Sequence, residues 1–198
     1  MNIKNRFRGF LPIIIDVETA GFDARKDALL ELAAIPITII NNKFVQLEHF
    51  HDHILPFKNA NLDKEALEFN KIDPFHPFRM AKDETKVMVS LDEFINNHLK
   101  NQGCKKAILV GHNAWFDLSF INAANKRAKV SSNLHSFSSI DTATLGAIFY
   151  GHTVLAKILN RAKIKFDPEK AHGALYDTSK TAELFCNILN EKADNNKF

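Results

Sequence analysis

Residues Phe10 to Val17 form a short, nearly unbroken apolar run, and one carboxylate, Asp16, interrupts it. A run of this length suits a strand buried in the middle of a sheet. Glu18 follows two positions later, so on a strand both acidic side chains leave the same face. Carboxylates forced together in this way repel unless a cation neutralises them. Hard oxygen donors favour magnesium or manganese over zinc or copper. On this segment alone a bland alternative stays open, in which Glu18 pairs with a lysine and Asp16 begins a turn.

The remaining pattern surrounds that strand with further sheet and helix. Thr19 to Asp27 reads as a loop, with Gly21 permitting a turn. Leu29 to Ile40 and Phe44 to Leu55 read as two more strands joined at Asn41-Asn42, a hairpin. Pro36 strains the first of these, because it offers no backbone donor and requires a bulge or an outward-facing position. A short helix is expected over 62–70, capped by Asn61 or Asp63, and a longer one over 83–101, stopped by Gly103. AILVGH follows as a buried strand, then a helix over 115–127, a strand over 137–141, and helices near 142–149, 153–162 and 171–192. Three antiparallel strands followed by alternating helix and strand predict an α/β fold, a mixed sheet covered by helices. Neither an internal repeat nor a linker interrupts residues 1–198, so one domain is expected.

Two later segments add to the acidic pair. Asp117, in HNAWFD, lies just past the AILVGH strand at the start of a helix, and strand ends are where a sheet gathers distant segments into one site. In the same segment His112 reads as a core histidine or as a donor behind a ligand, and Trp115 and Phe116 read as core. The segment AHGALYD supplies Asp177 as a last carboxylate and His172 as a group that can stay off the metal and take a proton from water. An ordinary histidine titrates near pH 6.5, which suits that work. Asp16, Glu18, Asp117 and Asp177 thus form a ligand set for two divalent ions about 4 Å apart, suited to in-line displacement at phosphorus.

Charge and cysteine content narrow the setting. The net charge of +3 supports nucleic-acid binding only weakly. Its distribution is more informative, with clusters at Lys4, Arg6 and Arg8, at Lys100, Lys105 and Lys106, at Lys126, Arg127 and Lys129, and at Arg161, Lys163 and Lys165. Cys104 and Cys186 are too few for a zinc site of their own or for a disulfide framework. No apolar stretch approaches the roughly 18 residues of a membrane helix, and the N-terminus lacks an apolar signal core, so a cytoplasmic location is expected.

In order and content, DVET, HNAWFD and HGALYD resemble the DEDD exonuclease superfamily, in its subgroup with histidine in the last motif. RFRGFLPIIIDVETAGF, ANLDKEALEFNKIDPFHP and AHGALYDTSKTAELFC resemble, within it, the ribonuclease T family along nearly the whole chain. The resemblance implies a ribonuclease-H-like fold with a five-stranded mixed sheet, two Mg2+ ions (Mn2+ substituting), and stepwise release of nucleoside 5′-monophosphates from 3′ ends. It implies single-stranded 3′ ends of transfer RNA and other stable RNAs as substrates, with single-stranded DNA besides. It also implies a homodimer, in which basic residues of one subunit feed RNA to the other's active site. Position by position, Asp16, Glu18, Asp117 and Asp177 become metal ligands and His172 the general base. Phe22, Phe69, Phe116 and Phe137 become stacking rings, Glu65 a base contact, and Arg6, Arg8, Lys100 and Lys106 the basic patch. Lys106 stands where arginine is expected, and the segment after Arg127 is shortened, leaving Lys129 as a substitute for a further basic position.

Two relatives of the same chemistry, an oligoribonuclease and a polymerase proofreading subunit, would share the five residues. RFRGF and ALEFNKIDP fit the ribonuclease T family better. A non-catalytic RNA-binding protein on this fold would lose a carboxylate, and none is lost. A regulatory metal-binding protein would have no reason to keep His172 beside the ligands.

Overall fold

The computed structural model describes residues 2–171 and 173–194. Two short 3-10 turns, Ile3–Asn5 and Phe7–Gly9, lead into β1 (Phe10–Thr19). Then follow β2 (Leu29–Ile40), β3 (Lys43–Gln46), β4 (Phe50–His53), α1 (Lys64–Asn70), α2 (Glu84–Gln102) and β5 (Lys106–Gly111). The chain continues through α3 (Trp115–Ala128), β6 (Leu134–Asp141), α4 (Thr142–Tyr150), α5 (Leu155–Arg161) and α6 (Ala174–Asp194).

The expected mixed sheet forms. Its strand order is β3-β2-β1-β5-β6, with β4 also paired to β2. β1 is central, antiparallel to β2 and parallel to β5, and β6 continues the parallel side. Leu11, Ile13, Ile14 and Ile15 are fully shielded from solvent, and each such side chain contributes about 1.5–3 kcal/mol of burial. That burial sets β1 as the frame on which the acidic residues are held. α6 lies along β1, β2 and β3, while α2 and α3 pack on each other and against β5.

The chain departs from the sequence reading mainly at the third strand. Residues 44–55 do not run as one strand but break into β3 and β4, which share the outer edge of β2. The break lies opposite Pro36. In an antiparallel ladder a residue's N–H and C=O address the same neighbour, and Pro36 presents its carbonyl to the Leu47 N–H at 2.9 Å on the broken side. Its missing donor falls on that edge, so the ladder stops and restarts. The sheet keeps five strand positions although six strands are distinct.

Smaller differences have local causes. Asp63, not Asn61, caps α1 by accepting from Ala66 N–H at 2.9 Å, because Asn61 is engaged with Asp27 at 2.7 Å. β6 begins three residues earlier than expected, its polar residues lying on an exposed sheet edge. α5 starts at Leu155 and α6 at Ala174, later than the sequence suggested. The Asn41-Asn42 hairpin forms as expected, with φ of 50° and 62°. Among the described residues no helix is long and apolar enough to cross a membrane.

Candidate metal centre and nucleotide pocket

The parallel pairing of β1 with β5 ends at Ile14 and Val110, so Asp16 and Glu18 extend past the end of β5. Asp16 lies opposite Ala33 and Glu18 opposite Glu31 on β2. Asp177 arrives from the first turn of α6, whose buried Thr178 hydroxyl sits 3.5 Å from the Ala33 carbonyl. One carboxylate oxygen from each of Asp16, Glu18 and Asp177 falls within 4.8 Å of the other two. At that spacing each ionised pair costs on the order of 3–4 kcal/mol with an effective dielectric near 20.

Asp117, in the first turn of α3, lies outside that group of three but near enough for its charge to act on Asp16 and Glu18. It is almost wholly buried, and its Oδ1 accepts the Val17 N–H at 3.1 Å, tying the helix start to the strand that carries Asp16 and Glu18. The approach depends on Gly111. A Cβ there would lie 3.2 Å from Asp117 Oδ2, from the Ile15 carbonyl oxygen and from Ala114 Cα, so a side chain would push the carboxylate away from β1.

Burial, followed by the charges of Asp117, Glu18, Asp177 and Glu31, holds the Asp16 carboxyl well above the usual range. Burial, then Glu31, Asp177 and Asp117, pushes Glu18 up to about 8. Burial raises Asp117 to about 8 against the backbone donors that favour its charge. These groups resist ionisation together unless a cation joins them. Three converging carboxylates with hard oxygen donors, and Asp117 close behind them, fit a divalent cation of the magnesium or manganese type. His172, expected to serve as the base, lies outside the described residues.

Beside the acids lies a pocket of about 370 Å3, lined by Val17, Glu18, Phe22, Glu65, Phe69 and Phe116 among others. Glu65 and Phe69 stand four apart on α1 and so share one helix face. α1 is fastened to the end of β1 by Asp63 N–H donating to Ala20 O (2.9 Å) and by buried Asn70 donating to Thr19 O (3.0 Å). The loop bearing Phe22 is held by Asp27, which accepts from Asp23 N–H at 2.8 Å and Asn61 Nδ2 at 2.7 Å. Gly21 packs directly on that carboxylate, leaving no room for a Cβ.

Phe22 and Phe69 behave unlike core residues, whereas Phe116 packs against the core. Phe22 is 87% exposed and Phe69 67% exposed, while Phe116 is half-buried with its ring 6.0 Å from that of Phe22. Phe137 is also exposed, but it stands on β6 and does not line the pocket. Trp115, expected in the core, is instead largely exposed with its ring 5.9 Å from Phe116. His112 is half-buried, and its Nε2 donates to the Thr153 carbonyl at 2.8 Å, so it is a tether between β5 and the start of α5.

Two supporting carboxylates escaped the sequence reading. Asp141 accepts the Asn113 N–H at 2.8 Å, thereby shaping the turn before Asp117, and caps α4 by accepting the Ala143 and Thr144 N–H groups at 3.3 and 3.2 Å. Glu31 faces Glu18 across the β1–β2 ladder. An aspartate just ahead of a helix is a readable cap signal. Nothing local marks Glu31, because its role comes from strand register.

Arg8, Lys105 and Lys106 lie at the other end of the central strands. Phe10 pairs with Lys106, and Lys105 N–H donates to Gly9 O at 3.0 Å, which brings Arg8, Lys105 and Lys106 together. Arg8, Lys100, Lys106 and Lys129 are exposed, whereas Arg6 is half-buried near the Phe7 and Phe44 rings. Arg127 is structural: it forms a forked pair with Glu84 at 2.8 and 2.7 Å and covers the Phe57 ring.

Comparison with known proteins adds to this geometry. The RNase_T exonuclease family model matches residues 13–185. The chain is 50% identical over 194 residues to a ribonuclease T of Vibrio vulnificus, covering 96% of this chain and 89% of that protein. It is 49% identical to a ribonuclease T of Haemophilus influenzae, covering 97% and 85%. Among solved structures, E. coli exonuclease I in complex with a dT13 oligonucleotide superposes with a TM-score of 0.73 at 15% identity, over 93% of this chain and 42% of that one. A 3′-exonuclease that recognises the histone mRNA stem-loop superposes with a TM-score of 0.69 at 18% identity, over 93% and 65%. The chain spans about two fifths of exonuclease I, and these structural likenesses establish the shared fold alone.

Proposed function

This chain belongs to the RNase_T exonuclease family, and on that premise we propose that it trims single-stranded 3′ ends of transfer RNA and other stable RNAs. It is a hydrolase, a 3′-to-5′ exonuclease of the ribonuclease T kind. Single-stranded DNA is the proposed second substrate, and residues 1–198 the proposed single exonuclease domain. The observation that carries the reading is the convergence of Asp16, Glu18 and Asp177 beside an aromatic pocket that Glu18 also lines. A terminal nucleotide seated there would place its phosphodiester beside the acids.

Asp16, Glu18, Asp117 and Asp177 would hold two Mg2+ ions, with Mn2+ able to replace them. When bound, such ions supply Lewis-acid charge stabilisation and lower the proton affinity of an attacking water. His172 is the proposed base that takes the proton from that water, so that a nucleoside 5′-monophosphate leaves. Phe22 and Phe69 offer ring faces to the terminal bases, and stacking of this kind contributes about 1–3 kcal/mol per base. Glu65 shares the pocket with them and is placed to accept hydrogen bonds from a base edge. Phe116 backs Phe22, and Phe137 is assigned to a more distant nucleotide along β6.

Arg6, Arg8, Lys100 and Lys106, with Lys129 as an added contact, form the proposed RNA track. Phe10 and Asp16 are six residues apart on β1, which is about 20 Å of strand. A patch at that distance from its own acids supports the reading that it serves the active site of a second copy in a homodimer. A cytoplasmic location completes the proposal.

The test uses an RNA hairpin with a 3′ overhang, labelled at its 5′ end and incubated with Mg2+. The expected product is a ladder shortening by one nucleotide, halting near the duplex and absent with Asp177→Asn. No shortening by folded protein with either Mg2+ or Mn2+ would overturn the assignment and leave a binding protein on a nuclease fold.

A further inference from the structure

A second group of ligating side chains lies on the sheet one strand away from the acids. Glu31 on β2 is directly opposite His53 on β4, and His51 stands two residues before His53, opposite Ala33. On a strand that spacing puts both imidazoles on one face. One ligand atom from each of Glu31, His51 and His53 falls within 4.8 Å of the others. Glu31 is 8% exposed, so its carboxylate has little water to turn to.

The local pairing is incomplete in a way that points to a cation. His51 Nε2 is 2.8 Å from Glu31 Oε1, a hydrogen bond. His53 Nδ1 stands 3.7 Å from Glu31 Oε2, too long for one, and it is shut off from water with no hydrogen-bond partner. His53 thus brings a ring nitrogen into a shielded space beside a carboxylate. Arg79 does not close that space with its hydrogen bonds: it donates to the Leu30 carbonyl at 2.8 Å and the Pro74 carbonyl at 3.2 Å. Metal–ligand bonds of about 2.0–2.2 Å in tetrahedral array separate donor atoms by about 3.4 Å. The observed 2.8 and 3.7 Å, each to a different oxygen of Glu31, lie on either side of that value.

We propose that Glu31, His51 and His53 form a zinc site, next to the catalytic carboxylates across the β1–β2 ladder but built from its own ligands, that joins β4 to β2 and keeps a fourth position for water. Two imidazoles and one carboxylate select zinc or another borderline transition ion over magnesium. The face of one sheet then carries two sites of opposite preference, oxygen-only on β1 and nitrogen-rich on β4. The zinc site stabilises the short β4, which the break opposite Pro36 separates from β3.

The test is cobalt titration of the intact protein, stripped of metal and then held in excess Mg2+, followed by visible absorption. One equivalent of Co2+ per chain is expected to give the intense bands of a tetrahedral ion, and zinc to bleach them. His53→Ala and His51→Ala should weaken this binding more than about 100-fold, while Asp177→Asn should leave it intact. His53→Gln, which keeps bulk and polarity, serves if an alanine variant fails to fold. Absent bands, bands that survive all the histidine variants, or bands lost in Asp177→Asn would each overturn the proposal. The last result would place the ion at the catalytic acids. None of these readings depends on nuclease activity, so failure here is distinguishable from failure of the function proposed above.

Discussion

The two ends of β1 carry opposite charges held in opposite ways. At the Thr19 end, the carboxylates are crowded and drawn into the protein, and their proton affinities rise. At the Phe10 end, Arg8, Lys100 and Lys106 are spread over exposed positions, where water screens them. The buried end stores unfavourable electrostatic energy that a cation releases, so it is built for chemistry. The solvated end stores little, which suits its proposed role of attracting a polyanion whose reacting bond lies elsewhere.

Breaking the acidic end has the largest expected effect. Asp177→Asn or Asp16→Asn should lower turnover by more than about 100-fold, since losses one layer behind a metal already cost 10–100-fold. The folded state should survive, because each change removes repulsion in the metal-free protein. Single-turnover trimming and a thermal melt check both halves, and retained turnover would remove these residues from the metal set.

Phe69→Ala and Phe22→Ala should each raise KM about tenfold, within the range of about 1–3 kcal/mol for a stacked base. A fall in turnover with KM unchanged would show that the rings do not bind substrate. At the basic end, Lys100→Ala and Lys106→Ala should each reduce the log–log salt slope of RNA binding by about 0.7. Mixed dimers sharpen the comparison. A subunit carrying Asp177→Asn, paired with one carrying both lysine changes, should regain trimming if the patch serves its partner. No recovery would tie each patch to its own site.

The smallest effect is on stability against pH. Glu18 and Asp117 titrate near 8 in the fold against 4.5 and 3.8 ordinarily, so folding takes up protons between those values. Without metal, their contribution is most favourable below about pH 4, declines as pH rises to about 8 and then levels off. Melting temperatures in chelator should fall across that window, more shallowly for Asp117→Asn. Saturating Mg2+ should oppose the fall, because it binds the ionised form. An unchanged slope in Asp117→Asn would count against its burial as a cause.

Much of this was legible in local pattern. The apolar run of β1 with Asp16 and Glu18 marked both the central strand and the acids, because burial and strand alternation act over a few residues. Gly103 ended α2 as expected, and Asp83, read as its first residue, is its N-cap. Other features were not legible. The split into β3 and β4 required knowing which edge of β2 Pro36 addresses, and the exposure of Trp115 depended on how α3 meets β1. Glu31 is an ordinary strand residue until register sets it opposite Glu18 and His53.

By itself the amino-acid order determined which groups are available: four carboxylates in three motifs, aromatic residues after the first, and basic residues near the start of β1 and β5. Tertiary structure alone decided that the acids meet at one end of β1 while the cations gather at the other. Strand direction and register settle that division, since they place residues a hundred positions apart at one point. Residues six apart on the same strand are kept about 20 Å from each other.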